Sequence, residues 1–294
     1  MDDVSIIGPG AIGSTVAAVL HEEGRTPGLY GRTARDGLEV LVGDEAIRVP
    51  GPVRTDPERV SGPADVVFLA VKATQIEGAA PWLEKLCGPG TVLCILQNGV
   101  EQRPMVSPLV PEGTVVVPAV VWFPAQAQAD GSVRLRGAAR LTLPEVPGAD
   151  RVVETLRGTR CTVEVASDFT SVAWRKLLQN AAAGLMALAG RRAGMFARDD
   201  VAELTLGYLQ ECLSVARAEG AQLDDGVPAE ILACFRSSPA DLSTSILTDR
   251  EAGRALEWDT RNGVISRLGR AHGIPTPISD VVTMLLAATS DGPG

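Results

Sequence analysis

The chain has 294 residues, 45% of them hydrophobic and 21% charged, with 27 Lys plus Arg against 36 Asp plus Glu and a formal net charge of −9. That length suits about two domains, each with its own core, and the balance of apolar and charged residues excludes a disordered chain. So acidic a body repels polyphosphate and argues against a binder of nucleic acid or anionic membranes.

Val4-Ser5-Ile6-Ile7 is a short apolar run directly after Met1-Asp2-Asp3, so a strand opens the chain with no leader of basic, apolar and small residues. Ala11 to Glu23 carries helical spacing through Ile12, Val16, Val19 and Leu20. Thr26 to Tyr30 reads as a second short strand. Asp65 to Val71 is continuously apolar, as a strand covered on both faces would be. A helix over Thr74 to Leu86 and a buried strand over Thr91 to Leu96 follow. Strands alternating with helices predict a parallel, right-handed α/β sheet.

Beyond residue 110, Val115 to Phe123, Ser132 to Arg136, Ala139 to Leu143 and Cys161 to Val165 read as strands between Gly and Pro turns, with a helix over Asp150 to Leu156. Strand signals end near Ser167. Phe169 to Ala189, Val201 to Glu219, Ala229 to Phe235, Leu256 to His272 and Ile278 to Ala288 read as helices, with Gly190, Gly220 and Gly273 as stops. The expected organisation is a parallel α/β domain over 1–166 and an all-α domain over 167–294, ending in a frayed tail from Ser290 to Gly294. The longest apolar stretch, Leu177 to Gly190, contains Gln179 and Asn180 and is shorter than the ~20 residues of a membrane span. Cys87, Cys94, Cys161, Cys212 and Cys234 form no C-x-x-C pair. They read as buried thiols of a cytoplasmic protein.

Gly8-Pro9-Gly10-Ala11-Ile12-Gly13 is a G-x-G-x-x-G sequence in the first strand-to-helix turn, the context that dinucleotide binding requires. Gly8 permits the turn, Gly10 lets backbone approach the pyrophosphate, and Gly13 lets helix and strand pack closely. Ala11 and Ile12 place the helix N-terminus at the phosphates. About 20 residues on, an NAD site would place an acid. Here Leu29-Tyr30-Gly31-Arg32 offers Arg32 instead, 19 residues after Gly13, with Asp36 in the following loop. A guanidinium suits a 2′-phosphate, so the site favours NADP(H), with Arg35 as a possible helper.

The chain has two histidines, His21 and His272, which leaves almost no material for a multi-histidine metal site, and no metal is expected. His21 lies within the first helix and His272 near a helix C-terminus, where its charge suits the dipole; neither is placed as a proton donor. In the apolar helix Val172 to Ala189, Lys176 and Asn180 stand at i and i+4 and share a face. A buried ammonium needs an anionic partner or a wet cleft, and burial suits a general acid. Equally, Lys176 sits beside Arg175, where a solvated helix start would explain both.

GPGAIG at 8–13, Arg32, Val71-Lys72-Ala73-Thr74-Gln75, Gln97-Asn98-Gly99, Trp174-Arg175-Lys176-Leu177 with Asn180, and Ser245 twelve residues before Glu257 occur in order over nearly the whole chain. Together they resemble the ketopantoate reductase (2-dehydropantoate 2-reductase) family. The resemblance implies an N-terminal Rossmann domain, a C-terminal helical domain of the 6-phosphogluconate-dehydrogenase type and an active site in the cleft between them. It implies hydride transfer from NADPH to the C2 carbonyl of a small-molecule 2-keto acid. Lys176 then protonates the nascent alkoxide and Glu257 holds Lys176 and the substrate hydroxyl. Asn98 meets cofactor and substrate, Asn180 and Ser245 bind substrate, and Lys72 lies near the cofactor. Read without the resemblance, Glu257 is also compatible with a surface acid paired to Arg261 at i+4, and Lys72 with an exposed loop lysine.

Two places depart from the family pattern. Gly184 stands where a second Asn is usual, and Gly190-Arg191-Arg192-Ala193-Gly194 lacks another. These departures predict extra space beside Asn180 and fewer partners for the hydroxymethyl end of ketopantoate. Reduction of a 2-keto acid is therefore favoured over reduction of ketopantoate itself, and a paralogue with an altered substrate pocket is the alternative within the family. Arg191 or Arg192 meets a second acidic group or faces solvent. The rival readings are a β-hydroxyacid dehydrogenase or imine reductase, which Ser245 with Glu257 disfavours, and a non-catalytic NADP(H) sensor, which would not need Lys176, Asn98 and Glu257 together. A homodimer is compatible with all of them.

Overall fold

A computed structural model describes residues 3–291 and divides into two units, with the junction between Phe169 and Thr170. The first unit runs β1 (Val4–Ile7), α1 (Ala11–Glu22), β2 (Gly28–Tyr30), β3 (Gly37–Val42), β4 (Glu45–Pro50), β5 (Val53–Arg54), β6 (Val66–Leu69), α2 (Ile76–Leu86), β7 (Val92–Ile95) and α3 (Gln102–Val106). It continues with β8 (Val115–Pro118), β9 (Val120–Val121), β10 (Ala125–Ala127), β11 (Val133–Leu135), β12 (Ala139–Pro144), α4 (Ala149–Leu156) and β13 (Cys161–Ala166). Six strands form a parallel sheet in the order β5-β2-β1-β6-β7-β8. Its central strands β6 and β7 are apolar throughout because both faces are covered. Ile6, Phe68, Cys94 and Val117 share a core with Val16 and Leu20 of α1. Ile7, Leu69, Leu93 and Ile95 pack with Trp82, Leu83 and Leu86 of α2.

After β2 the strand–helix alternation breaks. The chain makes the hairpin β3–β4, which joins β11 and β10 in a second sheet over α1. Leu38, Val40, Ile47 and Val49 point into the α1 core, while Glu39 and Arg48 pair on the outer face at 3.2 Å. This hairpin went unread because its outward half is charged and no long apolar run marks it. The strand expected over Val115 to Phe123 is two. Pro118 lacks an N–H to continue the ladder, and β9 turns into a third sheet with β12 and β13.

The second unit contains α5 (Phe169–Ala189), α6 (Asp199–Ala218), α7 (Val227–Ser237), α8 (Ser245–Glu251), α9 (Val264–His272) and α10 (Pro277–Asp291). No strand occurs in it among the described residues. Helices α5, α6 and α9 stop at Gly190, Gly220 and Gly273, all in left-handed conformations that glycine adopts without strain. The continuous helix expected over Leu256 to His272 is a π-helical turn at Asp259–Gly263 leading into α9, and Leu256 and Glu257 precede it. Helix α8 was not anticipated. Ser290 and Asp291, expected to be frayed, are helical: the Leu256 N–H donates to Ser290 Oγ at 3.0 Å and Trp258 Nε1 to Asp291 Oδ2 at 3.0 Å. The remainder of that stretch lies outside the described residues.

All five cysteines are free. Four are buried, and burial pushes the Cys87 and Cys161 thiols up to about 12. Cys234 on α7 is exposed, against the expectation of five buried thiols. Among the described residues no helix is long and apolar enough to cross a membrane.

Candidate active site

Strand β1 is flanked by β2 on one side and β6 on the other, so the chain order reverses there and a crevice opens at the strands' carboxyl ends. The glycine turn sits at that point. Gly8 has φ +88° and lies so close to Val71 that a Cβ would come within 2.6 Å of its side chain. A Cβ on Gly13 would collide with the Gly8 carbonyl oxygen and crowd Ala70 at 3.1 Å. A Cβ on Gly10 would meet nothing within 4 Å, so the space beside that backbone is open. Helix α1 has no side-chain cap and no acid in its first turn, and the N–H groups of Ala11, Ile12 and Gly13 have no intrahelical acceptor. An open approach to bare N–H groups at a positive helix end fits a pyrophosphate.

The end of β2 packs on this turn: a Cβ on Gly31 would stand 3.0 Å from Pro9 Cδ. Arg35 Nη1 reaches the Pro9 carbonyl at 3.5 Å. Arg32 is exposed at the same rim and makes no hydrogen bond or ion pair with the described residues. Asp36 lies one residue before β3, exposed, its carbonyl holding the Gly51 N–H at 2.9 Å. A basic rim without a strand-end acid fits a dinucleotide that carries a 2′-phosphate.

Lys72 follows β6 and Asn98 follows β7, adjacent strands of the sheet, and both are half-buried. Their loops are tied together by Gln97, whose Nε2 donates to the Val71 carbonyl at 2.9 Å. Buried Gln102 then donates to the carbonyls of Gln97 at 3.1 Å and Gly99 at 2.6 Å. Gln97 and Gln102 thus brace Asn98 on both sides. Neither was singled out in advance, because a glutamine that serves neighbouring carbonyls has no spacing signature.

In the second unit α5 carries Lys176 and Asn180 one turn apart. Lys176 lies seven residues inside the helix and is half-buried, so it is not at a solvated helix start. Its neighbour Arg175 turns to Glu230 at 2.8 Å on the surface. Asn180 is buried, 8% exposed. Ser245 opens α8 and is exposed. Glu257 is 6% exposed and is therefore not a surface acid, although Arg261 does pair with it, at 2.9 Å. The same Arg261 nitrogen donates to Ser245 Oγ at 3.1 Å. Arg261 brings together two predicted residues that lie on different elements, and it was itself assigned only to a surface pairing.

Two further side chains lock these elements to α5. Arg250 of α8 donates to the Ala187 carbonyl and, at 2.8 Å, to that of Leu188, satisfying the helix's last acceptors. Asn262 of the π-turn donates to the Ala181 carbonyl at 3.2 Å and to Tyr208 Oη at 2.8 Å. Asn262 also corrects the expectation of space at Gly184. A Cβ there would stand 2.5 Å from Asn262 Nδ2, so the room left by the missing side chain is filled by an amide from another element. In the 190–194 loop, Arg192 binds Glu251 at 3.3 Å and the Asp241 carbonyl at 3.2 Å, and Arg191 is exposed. His21 bonds Thr26 at 2.7 Å, and His272, the last residue of α9, bonds Glu219 at 2.5 Å. Among the described residues no group of three or more His, Cys, Asp or Glu is arranged to hold a metal.

A glycine turn at a parallel sheet's switch point, followed by a helical unit that carries a lysine and a buried acid, defines a Rossmann-type oxidoreductase of the nicotinamide-dependent class. The chain matches the model of ketopantoate reductase PanE/ApbA over residues 4–148 and that of its C-terminal domain over 168–290. It is 56% identical over 292 residues to the 2-dehydropantoate 2-reductase of Mycobacterium tuberculosis, covering 99% of each chain. It is 36% identical to that of Caulobacter vibrioides, covering 99% of this chain and 100% of the other. A dimeric ketopantoate reductase from Staphylococcus aureus has the same fold with a TM-score of 0.90, 25% identity, and coverage of 99% and 100%. The chain belongs to the ketopantoate reductase family.

Proposed function

We propose that this protein reduces ketopantoate to pantoate with NADPH, a step of pantothenate biosynthesis. The support is continuous: the 56% identity to a 2-dehydropantoate 2-reductase runs through 99% of both chains, across both units. Filling of the Gly184 position by Asn262 removes the main reason to look for a different substrate.

In this assignment the first-turn N–H groups of α1 take the pyrophosphate, Arg32 takes the 2′-phosphate, and Lys72 and Asn98 line the cofactor's path at the strand ends. When bound, NADPH supplies the hydride that adds to the substrate's carbonyl carbon. Lys176 polarises the carbonyl oxygen and donates its Nζ proton as negative charge develops there, an interaction stronger in the transition state than in the ground state. Glu257 orients the ammonium and the substrate hydroxyl. Asn98 and Asn180 hold the substrate by hydrogen bonds, and Ser245 Oγ donates to its carboxylate.

A homodimer, the state named for the Staphylococcus aureus relative, and a cytoplasmic location, suited to five free thiols, belong to the same proposal. Following NADPH absorbance against ketopantoate, other branched 2-keto acids and a cyclic imine tests it. Rapid turnover of ketopantoate is expected. Turnover of the imine alone, or of nothing, would return the imine-reductase or the sensor reading.

A further inference from the structure

Arg261 is the bulkiest fully buried side chain among the described residues, at 2% exposure. A guanidinium so placed must be paired, since an isolated buried charge is strongly unfavourable. Its Nη2 is paired twice, to Glu257 Oε2 and to Ser245 Oγ. The first partner is its own i−4 neighbour. The second is sixteen residues away on α8, so local helix geometry does not account for it.

Arg261 Nε remains buried without a hydrogen-bond partner. Among the described residues the other buried side-chain atoms in that condition are Thr244 Oγ1 and Asn262 Oδ1, the sequence neighbours of Ser245 and Arg261. Buried polar atoms in folded proteins are nearly all paired. Unpaired ones on Arg261 itself and on the residues next to it and to Ser245 mark a polar site, and the π-turn that carries Arg261 and Asn262 is a geometry common at such sites.

We propose that Arg261 is a positioning residue for keto-acid reduction: it fixes the Glu257 carboxylate and presents the Ser245 hydroxyl as a hydrogen-bond donor. The inference rests on the assignment of Glu257 and Ser245 to the substrate site. A hydroxyl has one proton and two lone pairs, and a guanidinium can only donate. With a lone pair of Ser245 Oγ taken by Arg261, the hydroxyl proton is directed to another acceptor, and a 2-keto acid brings a carboxylate. Toward Glu257 the guanidinium donates to Oε2 and fixes that oxygen, leaving the other carboxylate oxygen to accept from an ammonium or a hydroxyl. The two N–H groups of the planar Nη2 point at the two acceptors from one rigid group, whereas a lysine would bring an ammonium on a flexible stem.

The test uses the full-length protein, with ketopantoate and NADPH as probes. Absence of wild-type turnover would overturn the functional assignment and this inference with it. Given wild-type turnover, Arg261→Met is expected to raise the ketopantoate KM and lower kcat by about tenfold each, as loss of buried hydrogen bonds to charged groups implies. Its NADPH Kd, read by fluorescence, stays within about twofold. Arg261→Lys restores part of kcat and little of KM. If Arg261→Met does not fold, Arg261→Lys, Ser245→Ala and their double variant carry the test. Overlapping KM increases in the double variant support coupling through the Arg261–Ser245 bond, and increases that multiply overturn it. An Arg261→Met protein with lowered Tm but unchanged KM and kcat would reduce Arg261 to a structural ion pair.

Discussion

At the carboxyl ends of β1, β2, β6 and β7 the first unit offers mostly backbone. Glycines give room, helix N–H groups point outward, and Gln97 and Gln102 hold carbonyls in place. In the second unit the candidate site is made of side chains: Lys176 and Asn180 on one helix, Ser245 on another, Glu257 and Arg261 around a π-turn. The backbone site follows from chain topology and is fixed as soon as the parallel sheet forms. The side-chain site exists only after separate helices have been locked together by buried polar bonds. A single side-chain change is therefore expected to matter far more in the second unit.

Lys176→Ala is the largest test of that contrast. Loss of a general acid implies a fall in kcat of about 10²–10⁴-fold, with NADPH Kd unchanged in a fluorescence titration. Comparable turnover in the variant would remove Lys176 from the mechanism. Arg32→Ala tests the proposed contact between this exposed side chain and the 2′-phosphate. Losing charge-assisted bonds should raise the NADPH KM by roughly 10–100-fold and leave the NADH KM nearly unchanged. An equal loss for both cofactors would move Arg32 away from the 2′-phosphate.

Gly184→Ala tests the lock itself. The new methyl must displace the Asn262 amide, which is held by two hydrogen bonds, so unfolding in urea should show a loss of about 1–3 kcal/mol. An unchanged midpoint would mean that Asn262 moves at no cost. The smallest effect concerns the cysteines. At pH 8 the native protein should release one equivalent of chromophore promptly in a thiol-disulfide exchange assay, from exposed Cys234. Burial keeps Cys87 and Cys161 protonated, with pKa values near 12, and the reagent reaches them only on unfolding. Prompt labelling of several thiols would show that these cores open easily.

The first unit's site was legible because its signals are local. A G-x-G-x-x-G turn after a strand, and a basic residue at the next strand's end, carry their chemistry within a few residues. The π-turn was hidden because Glu257 and Arg261 look like any i,i+4 surface pair until burial is known. The β3–β4 hairpin was hidden for a related reason: its period-2 pattern is masked by charges whose outward direction only the sheet defines.

By itself the sequence determined the succession of an α/β half and an all-helical half, the glycine turn, the helix stops at Gly190, Gly220 and Gly273, and the lysine–asparagine face of α5. Each is a matter of backbone freedom or of a spacing that the helix period imposes. Tertiary structure alone decided that Asn262 fills the place beside Gly184, that Glu257 is buried, and that Arg261 joins Glu257 to Ser245. Those facts depend on which distant side chains share a desolvated space, and no local pattern records the cost of leaving a buried charge unpaired.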